Sequence, residues 1–250
     1  QDFKNITKYY NELVKITKKH YFIGISNEWI VDNYYLIVEK KEHINQFLKD
    51  SKHNKYLIKN NDIMSLLKNV LEKNNYKIDE EKLIIEVKNY CKDNNIHLIY
   101  QEIEIIPIAL SILLIQKVNE ICLKEKAVLR QRKEIDELIN IIKKDGLNKK
   151  NIVLKDYLKA DFYKKPTNIV YLNEKLKDLG NLTNNIFKQF HQLLNDKDLS
   201  LKKIINDEQL ESTNNDILIA NIFYSIQKTN LIKLENLHNK LCPVEKILNK

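Results

Sequence analysis

Apolar side chains recur every three or four residues along most of this chain, and short polar segments separate the periodic stretches. The first stretch places Phe3, Ile6, Tyr10, Leu13, Val14 and Thr17 on one face. This spacing is typical of an amphipathic helix and predicts one over 3–22, ended by Gly24. Ser26 can cap the next helix, which extends to about Leu48. The polar stretch 50–55 is predicted to be a loop.

Two more helices are predicted before residue 95. The first begins at Asn61 or Asp62 and ends at a break over 73–77. The second has Asp79 at its N-terminus, followed by two glutamates that the positive end of the helix dipole stabilises. Both segments carry apolar residues at helical spacing, so each should bury one face.

The longest predicted helix covers about 99–144. Pro107, near its start, either occupies the first turn or kinks the helix. The apolar run Ile105–Ile115 is eleven residues long, whereas a membrane span needs roughly 20. We therefore expect a buried core helix that does not cross a membrane. Past Gly146, the pattern predicts helices at 152–161, from Pro166 to Gly180, at 182–195, 199–209 and about 212–240, with Pro243 beginning another.

Composition narrows the fold class. The 250 residues include only 3 glycines and 3 prolines, and strand-rich or Rossmann-type folds need more turn residues than that. The chain has no convincing strand pattern and no internal repeat of clear period. We predict an all-α fold, an irregular multi-helix bundle or array with one long helix near residues 99–144. One helical domain would cover 1–250, with a weak boundary near 146–151.

The net charge of +8 does not by itself indicate a nucleic-acid partner. Of 42 basic residues only Arg130 and Arg132 are arginine, and arginine is the usual bidentate reader of phosphates and bases. The lysines are interleaved with 34 acids rather than gathered into one stripe. We therefore predict no nucleic-acid binding. The abundance of Lys, Asn and Ile is typical of an AT-rich (low-GC) coding sequence.

Residue patterns that carry chemistry are missing from the sequence. Cys91, Cys122 and Cys242 are far apart without a CxxC motif, which favours buried thiols in a reducing compartment. The six histidines form no metal-binding motif, and three scattered glycines cannot build a phosphate loop. We predict no metal, no cofactor and no catalytic residue. The chain begins at Gln1 without a secretory signal, so we expect a cytoplasmic segment excised from a larger protein.

The helix predicted after Ser26 carries acids on one face. Glu28, Asp32, Tyr35 and Glu39 fall at i, i+4, i+7 and i+11, beside Trp29. Either this is the solvated edge of an amphipathic helix, or the acids make a polar contact inside the domain or at a junction with another. A catalytic acid pair is disfavoured because nothing nearby completes a site. Glu102 and Glu104 likewise are either first-turn acids or partners of basic groups.

Three stretches, in order, resemble one protein family. They are NEWIVDNYYLIVE at 27–39, the segment 78–121, and the segment 217–250. The matching positions are Glu28, Trp29, Asp32, Asn33, Tyr34, Glu102, Pro107, Ala220, Asn221, Ser225, Val244 and Glu245. These stretches are similar to the N-terminal region of cyclic β-1,2-glucan synthases. The chain departs from the family pattern at Gln101, Glu104 and Gln227, where the family has Gly, Trp and Arg.

The resemblance implies a role outside the catalytic parts of the enzyme. Such proteins are membrane-embedded glycosyltransferases that use UDP-glucose and end in a glycoside hydrolase family 94, cellobiose-phosphorylase-like domain. Residues 1–250 would be a non-catalytic accessory domain at the cytoplasmic face, with other domains of the same polypeptide as partners and β-glucan as a further candidate. The residues implied to form a structural polar-aromatic knot are Glu28, Trp29, Asp32, Asn33, Glu102, Asn221 and Ser225.

Other functions remain open at this point. A carbohydrate-binding module would expose tyrosine or tryptophan faces in a groove. An unrelated helical domain that binds proteins or nucleic acids would show a lysine face of a single sign and steeply salt-dependent binding. A free-standing enzyme ranks last, because no nucleophile, metal or phosphate motif supports it.

Overall fold

The computed structural model describes residues 1–18, 23–49, 61–144, 158, 162–180 and 184–242. These residues form α-helices and include no strand, which confirms the all-α prediction. The helices are α1 (Asp2–Thr17), α2 (Ile25–Asp32), α3 (Tyr34–Lys49), α4 (Asn61–Lys73), α5 (Glu80–Asp93), α6 (Tyr100–Glu104), α7 (Ile106–Lys144), α8 (Pro166–Asp178), α9 (Asn184–Asn195), α10 (Leu201–Thr229) and α11 (Leu234–Leu241).

The chain divides into two compact units, 1–122 with 216–250, and 123–215. In the first unit α1 contacts α2 and α3, α4 contacts α5, and α11 contacts α5 and α6. The predicted boundary near 146–151 lies outside the described residues and stays a prediction. The loop predicted at 50–55, Gly146 and Pro243 also lie outside them, as does the helix predicted at 152–161 apart from Leu158.

The N-terminal region differs from its sequence prediction. Helix α1 ends at Thr17, and Gly24, with φ 88°, precedes α2 as its N-cap. Ser26 therefore lies inside α2 and is not its cap. A single helix over 26–48 is also wrong, because the backbone leaves helical geometry at Asn33. The Asn33 side chain donates to the Trp29 carbonyl at 2.9 Å, and such local bonds compete with helix continuation. The acidic face predicted over 28–39 is thus divided between two helices.

The long apolar segment forms α6 and α7, separated by Ile105. Pro107 occupies the first turn of α7, where its missing N–H costs nothing, and the Ala109 N–H donates to the Ile105 carbonyl at 2.8 Å. By length and composition alone, the stretch Tyr100–Lys143 could cross a membrane, a test that core helices of globular proteins also pass. Within its most apolar window, 67% of the residues are buried inside the protein.

Helix α10 is continuous where two helices were predicted. Thr213 lies beyond the predicted break, and its hydroxyl donates to the Gln209 carbonyl at 2.9 Å within the helix. The break falls instead between Thr229 and Leu234. Pro166 does begin α8, as predicted, and this helix ends just before Gly180.

The second unit is built around one apolar cluster. Its buried members are Ile135, Leu138, Ile139, Ile142, Leu158, Phe162, Ile169, Leu172, Leu176, Ile186, Phe190 and Leu194. At the cluster's edge, the Tyr171 hydroxyl donates to Asp136 at 2.9 Å, and Arg132 and Lys175 lie over its ring at 5.3 and 5.1 Å. Burial, followed by the bond to Asp136, raises the pKa of Tyr171. This arrangement links α7 to α8.

Asp79 caps α5, as predicted. Its carboxylate accepts a hydrogen bond from the Lys82 backbone N–H at 3.1 Å, and Asp79→Ala removes that bond. We expect the free energy of unfolding to fall by about 1 kcal/mol, the usual cost of losing such a cap. Urea denaturation of both proteins measures the change.

Asp93→Ala is the matched control, because Asp93 ends the same helix, where a negative charge is unfavourable. It should leave stability unchanged or slightly raised. Equal losses in the two variants would contradict a capping role for Asp79.

Candidate functional site

The residues that match the family motif on α2 lie at its surface. Glu28 and Asp32 are exposed, and 36% of the Trp29 surface is accessible to solvent. Ile25 is also exposed and completes the spacing i, i+3, i+4 and i+7, so the four side chains share one helical face. We call this set, Ile25, Glu28, Trp29 and Asp32, the α2 outer face. Around the helix axis, its two carboxylates lie to one side and its two apolar side chains to the other.

The opposite side of α2 is buried and hydrogen-bonded. Ser26 donates its hydroxyl to an Asp216 carboxylate oxygen of α10 at 2.6 Å. The Tyr9 hydroxyl of α1 donates to the Asn27 side-chain oxygen at 2.7 Å, and Asn27 donates to the Ile23 carbonyl at 2.8 Å. These bonds fix α2 to its neighbours. Sequence reasoning missed Asn27 and misread Ser26, because their partners are remote or lie in another helix.

Lys40 of α3 is a buried cation. Only 3% of its surface is exposed, and its ammonium donates to the Asn230 side-chain oxygen. The Asn230 amide in turn donates to Glu39 at 2.8 Å. Burial lowers the pKa of Lys40, and Glu39 partly offsets that effect. Its spacing signalled the burial, since Lys40 falls three residues after Ile37 and four before Ile44 on the apolar stripe.

Glu102 occupies the first turn of α6. Its carboxylate accepts a hydrogen bond from the Ile99 backbone N–H at 3.0 Å, as the first-turn alternative predicts. This is a local capping bond within one short helix. Glu102 therefore caps the helix that precedes α7, and Glu104, at the last position of α6, is half-buried.

Asn221 and Ser225 of α10 both bind the segment that joins α4 to α5. Asn221 donates to the Asn75 carbonyl at 3.1 Å. The buried Ser225 hydroxyl donates to the Tyr76 carbonyl and accepts from the Ile78 N–H, both at 2.8 Å. We call this pair and its contacts the Ser225 clamp. One turn further along α10, Ser111 donates to the Thr229 hydroxyl at 3.2 Å.

The clamped segment has an uncommon backbone. Asn75 and Tyr76 are consecutive residues at positive φ, 48° and 58°, a conformation that costs a bulky side chain free energy. Tyr76 is buried, which raises its pKa, and the Lys117 ammonium lies 5.2 Å from its ring and opposes that shift. The Ser225 clamp therefore holds a turn that local preferences alone do not favour.

A cavity of about 420 Å³ lies beside the Ser225 clamp. It is lined by Lys77, Ile78, Asp79, Glu80, Tyr224, Lys228, Leu231 and Ile232. The ammonium groups of Lys77 and Lys228 lie 6.0 and 5.3 Å from the Tyr224 ring centre. Glu80 accepts a hydrogen bond from Asn236 of α11. We call this space the Tyr224 cavity.

A second cavity, also about 420 Å³, has different chemistry. Its charged lining is basic, with Lys88, Lys92 and Lys240, and it includes the half-buried thiols of Cys91 and Cys242. Burial, followed by the negative charge of Glu102, raises the pKa of Cys91. Its thiol therefore stays protonated at neutral pH, which makes it a poor nucleophile and metal ligand.

The residues of the predicted polar-aromatic knot fall in three places. Glu28, Trp29, Asp32 and Asn33 lie on or just after α2, and the described side-chain bond among them, from Asn33 to the Trp29 carbonyl, is local to that helix. Glu102 caps α6, whereas Asn221 and Ser225 form the clamp on α10. The described hydrogen bonds do not join these groups to one another. Asn221 and Ser225 hold α10 against the segment that joins α4 to α5, and the polar-aromatic knot stays a prediction.

Ser225→Ala tests the clamp. It leaves two buried backbone groups, the Tyr76 carbonyl and the Ile78 N–H, without their hydroxyl partner. We expect the free energy of unfolding to fall by about 2 to 4 kcal/mol, measured by urea denaturation. Ser212→Ala, an exposed serine in the same helix, is the control and should change little. A loss no larger than the control's would show that the clamp is not needed.

The variant Lys40→Met tests whether the buried Lys40 makes the free energy of unfolding depend on pH. Because the pKa of Lys40 is lowered, the folded protein binds fewer protons than the unfolded chain between that lowered value and the ordinary lysine pKa of 10.5. Stability contributed by a group of this kind rises with pH across that window. The unfolding free energy of the wild type should therefore rise relative to Lys40→Met as pH approaches 10.5.

Urea denaturation at a series of pH values measures that difference. Lys41→Met, at the exposed neighbouring position, is the control, and its difference from the wild type should stay flat. Parallel curves for wild type and Lys40→Met would contradict the lowered pKa.

Comparison with protein-family models and with curated proteins finds no match for this chain. The resemblance to cyclic β-1,2-glucan synthases therefore depends on the three stretches of sequence. Two of its matching residues, Val244 and Glu245, lie outside the described residues.

Proposed function

We propose that residues 1–250 are a non-catalytic, cytoplasmic accessory domain of a cyclic β-glucan synthase-like glycosyltransferase, where they scaffold or regulate glucan synthesis. The observation that carries this proposal is the α2 outer face. Three of its four residues, Glu28, Trp29 and Asp32, belong to the stretch that resembles the family, and all three point away from the core. The bonds of Ser26 and Asn27 hold the other side of the helix in place.

The composition of the α2 outer face supports a docking role. Tryptophan is enriched at the centres of protein interfaces, where its large ring leaves water. Two carboxylates beside it would pair with basic groups of a partner and would set the orientation of docking. The helix needs no rearrangement to bind, because its inner side is already fixed. The partner that we propose is the transferase part of the same polypeptide, at the cytoplasmic face of the membrane.

The decisive experiment compares membranes carrying the parent protein, intact or without residues 1–250. Both are supplied with labelled UDP-glucose, and the glucan product is sized after equal membrane insertion has been verified. We expect removal of the domain to change the product length or to abolish synthesis. An unchanged product, or an intact parent that makes no glucan, would overturn the proposal.

Point variants then locate the function on the α2 outer face. Trp29→Ala should reproduce part of the truncation phenotype, since an interface tryptophan is worth about 2 kcal/mol or more. Glu28→Gln combined with Asp32→Asn should have a smaller effect that weakens at high salt. Leu210→Ala and Glu42→Gln change exposed residues on other helices and should leave the product unchanged. If truncation acts but none of the α2 variants does, docking occurs through another surface.

A further inference from the structure

We infer that the Tyr224 cavity binds a neutral oligosaccharide. The choice of a glucan as its ligand rests on the proposed function, whereas the chemical class follows from the lining itself. The cavity combines one partly exposed aromatic ring, four charged side chains of both signs and a small apolar wall. A ligand that fits must therefore present both a flat apolar face and many hydroxyl groups.

The aromatic ring supplies a stacking surface. Tyr224 is 43% exposed at the cavity, and Leu231, at 65%, continues the apolar wall. The C–H face of a pyranose ring is apolar, so it can cover an aromatic side chain as other apolar groups do. The Lys77 and Lys228 ammonium groups already lie 6.0 and 5.3 Å from the ring centre, and a sugar that stacks on the ring would displace these flexible side chains. Stacking would remove part of that apolar surface from water.

The charges of the cavity balance. Lys77 and Lys228 contribute two ammonium groups, and Asp79 and Glu80 contribute two carboxylates. Ammonium groups donate hydrogen bonds and carboxylates accept them, so a hydroxyl, which does both, suits either kind. A phosphate-bearing ligand would meet two negative charges here. The basic cavity that contains Lys88, Lys92 and Lys240 is electrostatically more complementary to a phosphate-bearing ligand.

The cavity is held in shape before any ligand arrives. The Ser225 clamp binds the backbone on both sides of Lys77, at the Tyr76 carbonyl and the Ile78 N–H. Asp79 is fixed by capping α5, and Glu80 is bonded to Asn236. Groups that are already ordered lose less entropy on binding. The volume of about 420 Å³ lies within the range found for ligand pockets.

The test is calorimetric titration of the 250-residue chain with linear β-1,2-linked glucohexaose. We expect saturable binding that Tyr224→Ala weakens at least about tenfold and that Tyr224→Phe, which keeps the ring, nearly preserves. Lys228→Met, a second change in the same cavity, should also weaken binding. Lys92→Met, in the basic cavity, is the control and should have no effect. Thermal melting of each variant verifies that it is folded.

Two further titrations separate the ligand classes. Binding of a neutral sugar should be nearly the same in about 50 and about 500 mM salt, because no counterion is released. Uridine diphosphate should not compete with the oligosaccharide. The inference is overturned if the oligosaccharide does not bind, if Tyr224→Ala binds it as the wild type does, or if uridine diphosphate displaces it.

The two proposals can fail separately. If the chain binds no oligosaccharide but its removal alters the glucan made by the parent protein, the cavity inference is wrong and the accessory role stands. If the chain binds the oligosaccharide through Tyr224 but truncation leaves the product unchanged, the cavity inference stands and the role in synthesis is wrong.

Discussion

The buried hydroxyl of Ser225 is the contact on which the described first unit most depends. It joins α10 to a segment 147 to 149 residues earlier in the chain, and it satisfies a carbonyl and an N–H that have no helix of their own. A buried polar backbone group without a partner is costly, so the position accepts a small hydroxyl side chain and little else. The same bond sustains the positive φ angles of Asn75 and Tyr76 and thereby places Lys77 and Asp79 beside Tyr224.

Helix α2 separates structural from surface roles within eight residues. Ser26, Asn27 and Ile30 are buried and hold the helix, whereas Ile25, Glu28, Trp29 and Asp32 face outward. This separation answers why like charges stay together next to the chain's single tryptophan. On an exposed helix face, a like-charge pair costs only a few tenths of a kcal/mol, so the fold tolerates the two acids. Together with Trp29, they form an exposed surface that a partner can bind.

The second unit shows a different use of charge. Tyr171 is bonded to Asp136 while Arg132 and Lys175 lie over its ring. Arginine is rare in this chain, with two among 42 basic residues, and here its planar guanidinium lies against an aromatic ring, which it does better than a lysine ammonium. Arg132 also opposes the burial that raises the pKa of Glu208. The spacing of apolar residues in the sequence did not predict that these charged side chains would gather around Tyr171.

The sequence alone determined where most helices lie and which residues cap or begin them. Asp79 caps α5, Pro107 and Pro166 lie in first turns, and the 3.6-residue period located most helices, because each of these depends on side chains within one or two turns. Tertiary structure decided the rest. It buried Ser26 against Asp216, paired Lys40 with Asn230, and joined Ser225 to a turn far away in sequence. Those outcomes depend on which helices pack together. A hydrogen bond between residues about 150 positions apart does not change the local spacing of apolar residues from which helices are predicted.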